Sequence, residues 1–268
     1  MTHSAFGWSD PHQDSPENGW DPAAHAPDGG FDVAVVAGDV HMPLVRALEW
    51  LGGRLPGVPF VYVPGNHDFW WDRGEERYSL ADQMSRGRDV AARHGIHLLL
   101  DDAVTLGDER YLGGMLWTDF RLGSFSLTHA FRSAQGRDGM VDYRRICTGP
   151  RSRDRIEPED VPAMYRATRS FLDAELDQRH DGATVVVTHH APHPENLPSR
   201  YANLAWCAAS DLTGLIEQRE PDPWGHGHVH RSADCRVGRI PVVCNARGHA
   251  DENSAFVPGF VLSAVTDR

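Results

Sequence analysis

Asp10 and His12, Asp39, Asn66 and His67, His189, then His228 and His230 fall in short loops, several of them directly after β-rich runs. Their side chains offer carboxylate, amide and imidazole donors and no thiolate. That set suits Mn, Fe, Zn or Co and disfavours a soft-metal site. Asp39 follows a hydrophobic run at a Gly turn, and its two carboxylate oxygens allow it to bridge two cations. His228 and His230 are two residues apart; on an extended segment they face the same way, whereas a loop can aim them at different ions. Phosphate monoesters are among the slowest biological bonds to hydrolyse. Two cations about 3.5–4 Å apart lower the pKa of a bridging water towards roughly 7 and clamp the attacking and leaving oxygens. Such a pair outweighs the charge of Asp10 and Asp39, so the site attracts phosphate even in an acidic protein.

Elements far apart in the chain must bring these groups together. Asp32–Ala37 is a β-branched run that reads as a buried strand ending at Gly38-Asp39. Pro43 suits the first turn of a helix; Leu44, Ala47, Leu48 and Leu51 follow at helical spacing, and Gly52-Gly53 stops it. Pro59–Val63 predicts a second strand, ending at Pro64–Asp68. Strand, helix, strand implies parallel strands with a crossover helix. Further along, the pattern predicts a helix over 78–94, strands over Ile96–Leu100 and Arg110–Trp117, and a strand over Ala183–Thr188 that ends at His189. Val161, Met164, Thr168, Phe171, Leu172 and Leu176 mark an amphipathic helix. A helix over 208–219, an incoming strand at Trp224–His226, and strands over Ile240–Cys244 and Phe260–Val265 complete the series. In open α/β sheets ligands bind beyond the carboxyl ends of strands, so these distant loops can converge. Residues 13–31 read as loop. Residues 119–160, rich in Arg, Asp and Gly without a clear period, read as an insertion in a single domain spanning 1–268, either a cap over the site or a variable surface loop.

In order, Asp10-Pro11-His12, Gly38-Asp39, Gly65-Asn66-His67-Asp68, His189-His190-Ala191-Pro192 and Gly227-His228-Val229-His230 resemble the motifs of the calcineurin-like metallophosphoesterase superfamily. The resemblance implies an α/β (α+β) fold, a β-sandwich of two mixed sheets flanked by helices. It implies a dinuclear metal-dependent phosphoesterase in which a metal-bridging hydroxide attacks a phosphate mono- or diester. Asp10, His12 and His230 would then hold one divalent ion, Asn66, His189 and His228 the other, and Asp39 would bridge them. His67 would not be a ligand; it would face the leaving group or the substrate phosphate, and a protonated His67 would serve as general acid. The sequence departs from the family pattern in three places. Only Ala5–Trp8 precedes the first motif, where the family has a fuller apolar strand, and Pro11 separates its ligands. Met42 stands where several branches place an Asp that orients the catalytic His, and their nearby Arg is absent, which argues against a close Ser/Thr phosphatase; Asp68 has no special claim to the orienting role. Gly225–His230 contains two overlapping Gly-His-x-His readings. His228 and His230 are taken as ligands and His226 as a strand residue; likewise His189 is taken over His190.

A net charge of -12 argues against long nucleic acid as a partner and leaves a small phosphoester or a phosphoprotein as substrate. The four cysteines, Cys147, Cys207, Cys235 and Cys244, form no C-x-x-C pair and read as thiols of a reducing cytoplasm. The start carries no signal-peptide pattern, and the apolar runs fall far short of the roughly 20 residues of a membrane span, so the expected location is cytoplasmic. His3, His25, His94, His97, His129, His180, His193 and His249 lack motif context and are expected at the surface or in caps. His41 follows Asp39 but is expected outside the chemistry. Arg247 lies beyond the Ile240–Cys244 strand, where it either meets a substrate phosphate or stands exposed; Trp70-Trp71 form either a hydrophobic wall or core. The competing function is a catalytically inactive, metal-stabilised scaffold or binding module. Retention of every expected ligand and of His67 favours chemistry.

Overall fold

In the computed structural model of the chain, the described residues are 4–71, 78–149, 151, 154–198, 204–250 and 252–262. Two mixed sheets form the centre. The first contains β1 (Ala5–Trp8), β2 (Val33–Val36), β3 (Phe60–Tyr62) and β4 (Ile96–Leu98), all parallel, with β11 (Val261–Leu262) antiparallel against β1. The second has the order β5 (Asp102–Leu106), β6 (Glu109–Gly114), β7 (Thr184–Thr188), β8 (Trp224–His226), β10 (Ile240–Cys244), β9 (Ala233–Val237), with both edge strands antiparallel. Alternation along the strands explains the layering. Val33, Val35, Val61 and Val63 face Tyr111, Val185 and Val187 across the sandwich. Ala34, Val36, Phe60 and Tyr62 point the other way, into the cluster that holds the apolar stripes of α1 (Leu44–Gly52) and α2 (Leu80–His94). Leu112, Val186, Trp224 and Val242 belong to the same cluster, with Val161, Tyr165 and Leu172 of α5 (Val161–Asp177) and Ile216 of α7 (Thr213–Arg219). Strands buried on both faces need continuous apolar runs, which is why β2, β3 and β7 stand out in the sequence.

Several boundaries differ from the sequence reading. The predicted Arg110–Trp117 strand stops at Gly114. The 208–219 helix is two pieces, α6 (Ala205–Ala208) and α7. Between them Ala209 forms a bridge with Ala191 and Ser210 donates its N–H to Ala191, so tertiary pairing interrupts the helix. The sequence pattern does not mark β5 or β9; both are edge strands with mostly exposed or half-buried residues, so neither carries a hydrophobic run. Segment 119–160 contains α3 (Leu127–Gln135) and the short α4 (Asp142–Arg145). Of the Phe260–Val265 strand, Val261–Leu262 is strand and 263–265 lie outside the described residues. Among the described residues no helix is long and apolar enough to cross a membrane, and all four cysteines are free thiols.

Gly113 lies where the two sheets approach. A Cβ there would stand 2.5 Å from Leu99 Cβ and 2.8 Å from Val63 Cγ2. Gly113→Ala is therefore expected to cost about 1–3 kcal/mol by overpacking, read as a lower midpoint in urea unfolding. An unchanged midpoint would mean that the sheets separate without cost.

Candidate metal centre

The site begins with the chain turning sharply at the ends of β1, β2 and β8. Asp10, His12, Asp39, His228 and His230 all have positive φ, between 40° and 69°. This region is uncommon for residues with a side chain, and such strain concentrates at functional sites. Glycines provide the close approaches between loops. A Cβ on Gly38 would lie 2.5 Å from His189 Nδ1, and one on Gly65 would overlap the Asp39 carboxylate.

Asp68 locks two of the loops together. Its Oδ2 accepts the backbone N–H of Asp39 (2.9 Å) and of Gly65 (2.7 Å). Its Oδ1 accepts those of Val40 (3.0 Å) and His41 (3.2 Å). Burial pushes the Asp68 carboxyl above the usual range, and the Gly65 and His41 N–H groups pull it back. Asp68 does not orient the His67 ring, a role for which the sequence gives it no special claim; it positions the backbone on either side of it. Asp68→Ala would leave four N–H donors without their acceptor, three of them buried and that of His41 half-buried. At roughly 1–3 kcal/mol for each unsatisfied group, the expected loss is at least about 3 kcal/mol by chemical denaturation. A change below about 1 kcal/mol would show that water replaces the carboxylate.

The proposed donors meet in two groups. Ligand atoms of Asp10, His12, Asp39 and His230 lie within 4.8 Å of one another, as do those of Asp39, His189 and His228. Asn66 completes the second group: its Oδ1 is 2.9 Å from His189 Nε2 and 3.0 Å from His228 Nδ1. In the first group His12 Nε2 and His230 Nε2 face each other at 2.9 Å, and His230 Nε2 is 3.4 Å from Asp10 Oδ1. Asp39 belongs to both groups; its Oδ1 accepts the His67 N–H at 2.8 Å and its Oδ2 lies 3.4 Å from His189 Nε2. Nitrogen and oxygen donors converging in this way on buried points fit divalent cations of the borderline type.

Supporting groups fix the orientation of these donors. Asp142 of α4 accepts Asn66 Nδ2–H (2.8 Å) and Trp70 Nε1–H (2.7 Å) at the same oxygen. This sets the Asn66 amide with its oxygen towards the histidines. His189 Nδ1 bonds the Ala37 carbonyl at 2.7 Å, and His230 Nδ1 bonds Glu252 Oε2 at 2.7 Å. These are partners of the kind that metal-ligating histidines use on their second nitrogen. His67 stacks on Trp70, with ring centroids 3.4 Å apart, and its Nδ1 is buried without a hydrogen bond among the described residues. Trp70 thus serves as a wall for His67.

The remaining histidines separate clearly. His226 is buried in β8 and bonds Asn196 (2.5 Å) and the Gly227 carbonyl (3.0 Å), as expected of a packed strand residue. His190 is buried, bonds the Met115 carbonyl and packs on His228 at 4.2 Å. His193 caps a 3₁₀ turn by accepting the Glu195 N–H, so the nearby His193, Glu195 and Cys235 have a structural explanation. His249 is exposed, as expected of a surface residue, and its ring stacks on His12 at the edge of the site. Its signal in the sequence is faint, a single Gly-His after a strand. Arg247 is not aimed at the donors; its guanidinium donates to the Ala250 carbonyl and lies over Phe256.

Burial disfavours charge on His189 and His230. The carboxylates of Asp39 and Asp10, and for His230 also Glu252, more than offset it, raising His189 to about 9 and His230 to about 10. Both imidazoles therefore hold protons at neutral pH. For His230 this contributes stability to the metal-free fold below the unfolded pKa of about 6.5, lost as pH rises through about 10, whereas burial raises Asp39 to about 7, so the His189–Asp39 pair loses its carboxylate charge as pH falls below about 7. A cation must displace these protons. Mn²⁺ affinity should accordingly rise with pH between 6 and 8, by about tenfold per unit for each proton released, as measured by calorimetry in buffers of different ionisation enthalpy. Affinity independent of pH would contradict this competition. His67 behaves oppositely: burial and the surrounding imidazoles hold it well below the usual range, so it is neutral in the free site rather than cationic.

No family model and no curated protein matches the sequence. The fold is similar to that of a phosphopantetheinyl hydrolase from Mycobacterium tuberculosis, with a TM-score of 0.74, 18% identity, and coverage of 98% of this chain and 96% of the other. It is also similar to a Staphylococcus aureus protein named as a 5′-nucleotidase, with a TM-score of 0.51, 13% identity, and coverage of 92% of this chain and 48% of the other. The chain therefore has a phosphoesterase-like α/β fold of two mixed sheets flanked by helices.

Asp142→Ala tests the supporting layer. Loss of an outer partner of a ligand typically lowers metal affinity about 10–100-fold, and this loss is expected for Mn²⁺ in the variant. Unchanged affinity would separate the Asn66 amide from cation binding.

Proposed function

We propose that this protein is a dinuclear metal-dependent phosphoesterase. The observation that supports the reading is Asp39, whose carboxylate takes part in both donor groups, as a bridging ligand would. Asp10, His12 and His230 hold one divalent ion, Asn66, His189 and His228 the other. Bound there, such ions would supply a polarised water at neutral pH and neutralise charge on the phosphoryl oxygens. The protein contributes position and proton control. Asp68 and Asp142 fix the loop and the amide, and Glu252 holds the His230 ring. His67, stacked on Trp70 and with a free ring nitrogen among the described residues, faces the leaving oxygen. An anionic phosphate beside it favours its protonated form and so opposes the effect of burial, which lets the ring donate a proton as the ester bond breaks.

The test is turnover of p-nitrophenyl phosphate and its bis-ester by full-length protein with Mn²⁺, before and after chelation, alongside a phosphopantetheinyl ester, the group named for the structural neighbour. Metal-dependent release from at least one ester is expected. Absence of turnover on all of them in folded, Mn²⁺-loaded protein would favour the scaffold reading. Roles are separated by two variants. Asn66→Ala and His67→Ala should both slow turnover, His67→Ala by about 10²–10⁴-fold, but only Asn66→Ala should lower bound metal. Equal metal loss in both would make His67 a ligand.

A further inference from the structure

The segment after β10 is built against the site. Ala246 bridges Ser9, and the Arg247 N–H donates to the Ser9 carbonyl at 2.8 Å, directly before Asp10. Gly248 then turns with φ of 68°, where its missing side chain avoids the His230 Cβ, 3.3 Å from where a Cβ would stand. Two side chains anchor the residues beyond this turn. Asn18 Oδ1 accepts the Ala250 N–H at 2.6 Å, while Asn18 Nδ2 reaches the carbonyls of His12 and Gly248, each at 3.4 Å. Glu252 Oε2 accepts both the His249 N–H (3.2 Å) and the His230 ring (2.7 Å). The loop that carries His249 is thus tied to the same residues that hold the first donor group.

These anchors lay the His249 ring over His12 at 4.1 Å with a 20° angle between planes, and put it 6.1 Å from His67. His67 meets the His12 ring at 4.6 Å and 63°. A ring nitrogen of His249 comes within 4.8 Å of ring nitrogens of His12 and His230, which on distance alone would make it another ligand. Direction decides otherwise. The lone pair of an imidazole nitrogen lies in the ring plane, so a cation bound by His12 Nε2 lies in the plane of His12. The plane of His249 is nearly parallel to that plane and displaced from it, so its lone pairs pass beside the cation. Unlike Asp10 and His12, which are buried, His249 is exposed, and its ring makes no hydrogen bond to any described residue. It stands at the open rim with a donor to spare.

Resting on the phosphoesterase reading, the geometry points to His249 as a substrate-binding residue that donates a ring N–H to a non-bridging oxygen of the phosphoryl group, and not as a metal ligand. Its place beside His12 and near His67 suits an oxygen on the open side of the donor groups. Loss of a hydrogen bond to a charged group costs roughly ten- to hundredfold.

The experiment compares wild type, His249→Ala, His249→Gln and, as a ligand control, Asn66→Ala, all full length. It measures kcat/KM on p-nitrophenyl phosphate, inhibition by inorganic phosphate, bound Mn²⁺ by elemental analysis, and thermal midpoint. The expected result is a kcat/KM roughly ten- to hundredfold lower in His249→Ala, weaker phosphate inhibition, and Mn²⁺ content equal to wild type. His249→Gln, which restores an N–H donor, should recover part of the loss. Mn²⁺ content falling as in Asn66→Ala would overturn the assignment and make His249 a ligand; unchanged kcat/KM and phosphate inhibition would overturn it outright. Should wild type show no turnover, the phosphoesterase reading fails separately. Phosphate affinity of the Mn²⁺-loaded protein by calorimetry then decides the point, an equal Kd in wild type and His249→Ala counting against it.

Discussion

The carboxylate of Asp68 accepts backbone N–H groups from Asp39, Val40, His41 and Gly65, and so joins the loop after β2 to the loop after β3. Everything else at the site is arranged around that joint. It places Asp39 between the two donor groups. It also leaves Asn66 facing the loops that carry His189 and His228. A buried carboxylate is costly by itself; here N–H groups that have no other role in a sheet or helix offset the cost. The acid next to His67 is therefore a device of the backbone, and the stacked Trp70 ring steers the histidine.

The sandwich explains why such a joint is needed. Parallel strands deliver their loops to one edge, and the two sheets bring that edge together from both sides. β2 and β3 supply Asp39 and Asn66, β7 supplies His189, and the loop after β8 supplies His228 and His230. Asp10 and His12 follow the short β1, which is held by β2 on one side and β11 on the other. Four residues suffice because its partners, not its length, provide its stability. The crowding at this edge is relieved by left-handed residues and by glycines at the closest approaches.

Segment 119–160 adds a connection that its composition does not suggest. Through Asp142 it holds the Asn66 amide and the Trp70 indole at one oxygen. Burial raises the Asp142 carboxyl and these two donors pull it back. A region without periodicity thus sets which end of an amide faces the donor cluster, a choice on which the proposed role of Asn66 as a ligand depends.

The strands buried on both faces, the crossover helices and the donor residues at the strand ends are legible in the sequence, because continuous apolar runs and Gly-flanked Asp, Asn and His are local signals. The sequence also separates His226 from His228. The edge strands β5 and β9 were illegible, since a half-exposed strand has no hydrophobic run, and the break between α6 and α7 was illegible because Ala191 imposes it from elsewhere in the chain. The roles of Asp68, Asp142 and Glu252, and the presence of His249 at the rim, were decided only by tertiary structure. Each depends on a contact between residues whose identities are ordinary in isolation, and hydrogen bonds of that kind leave no period or spacing for a sequence to display.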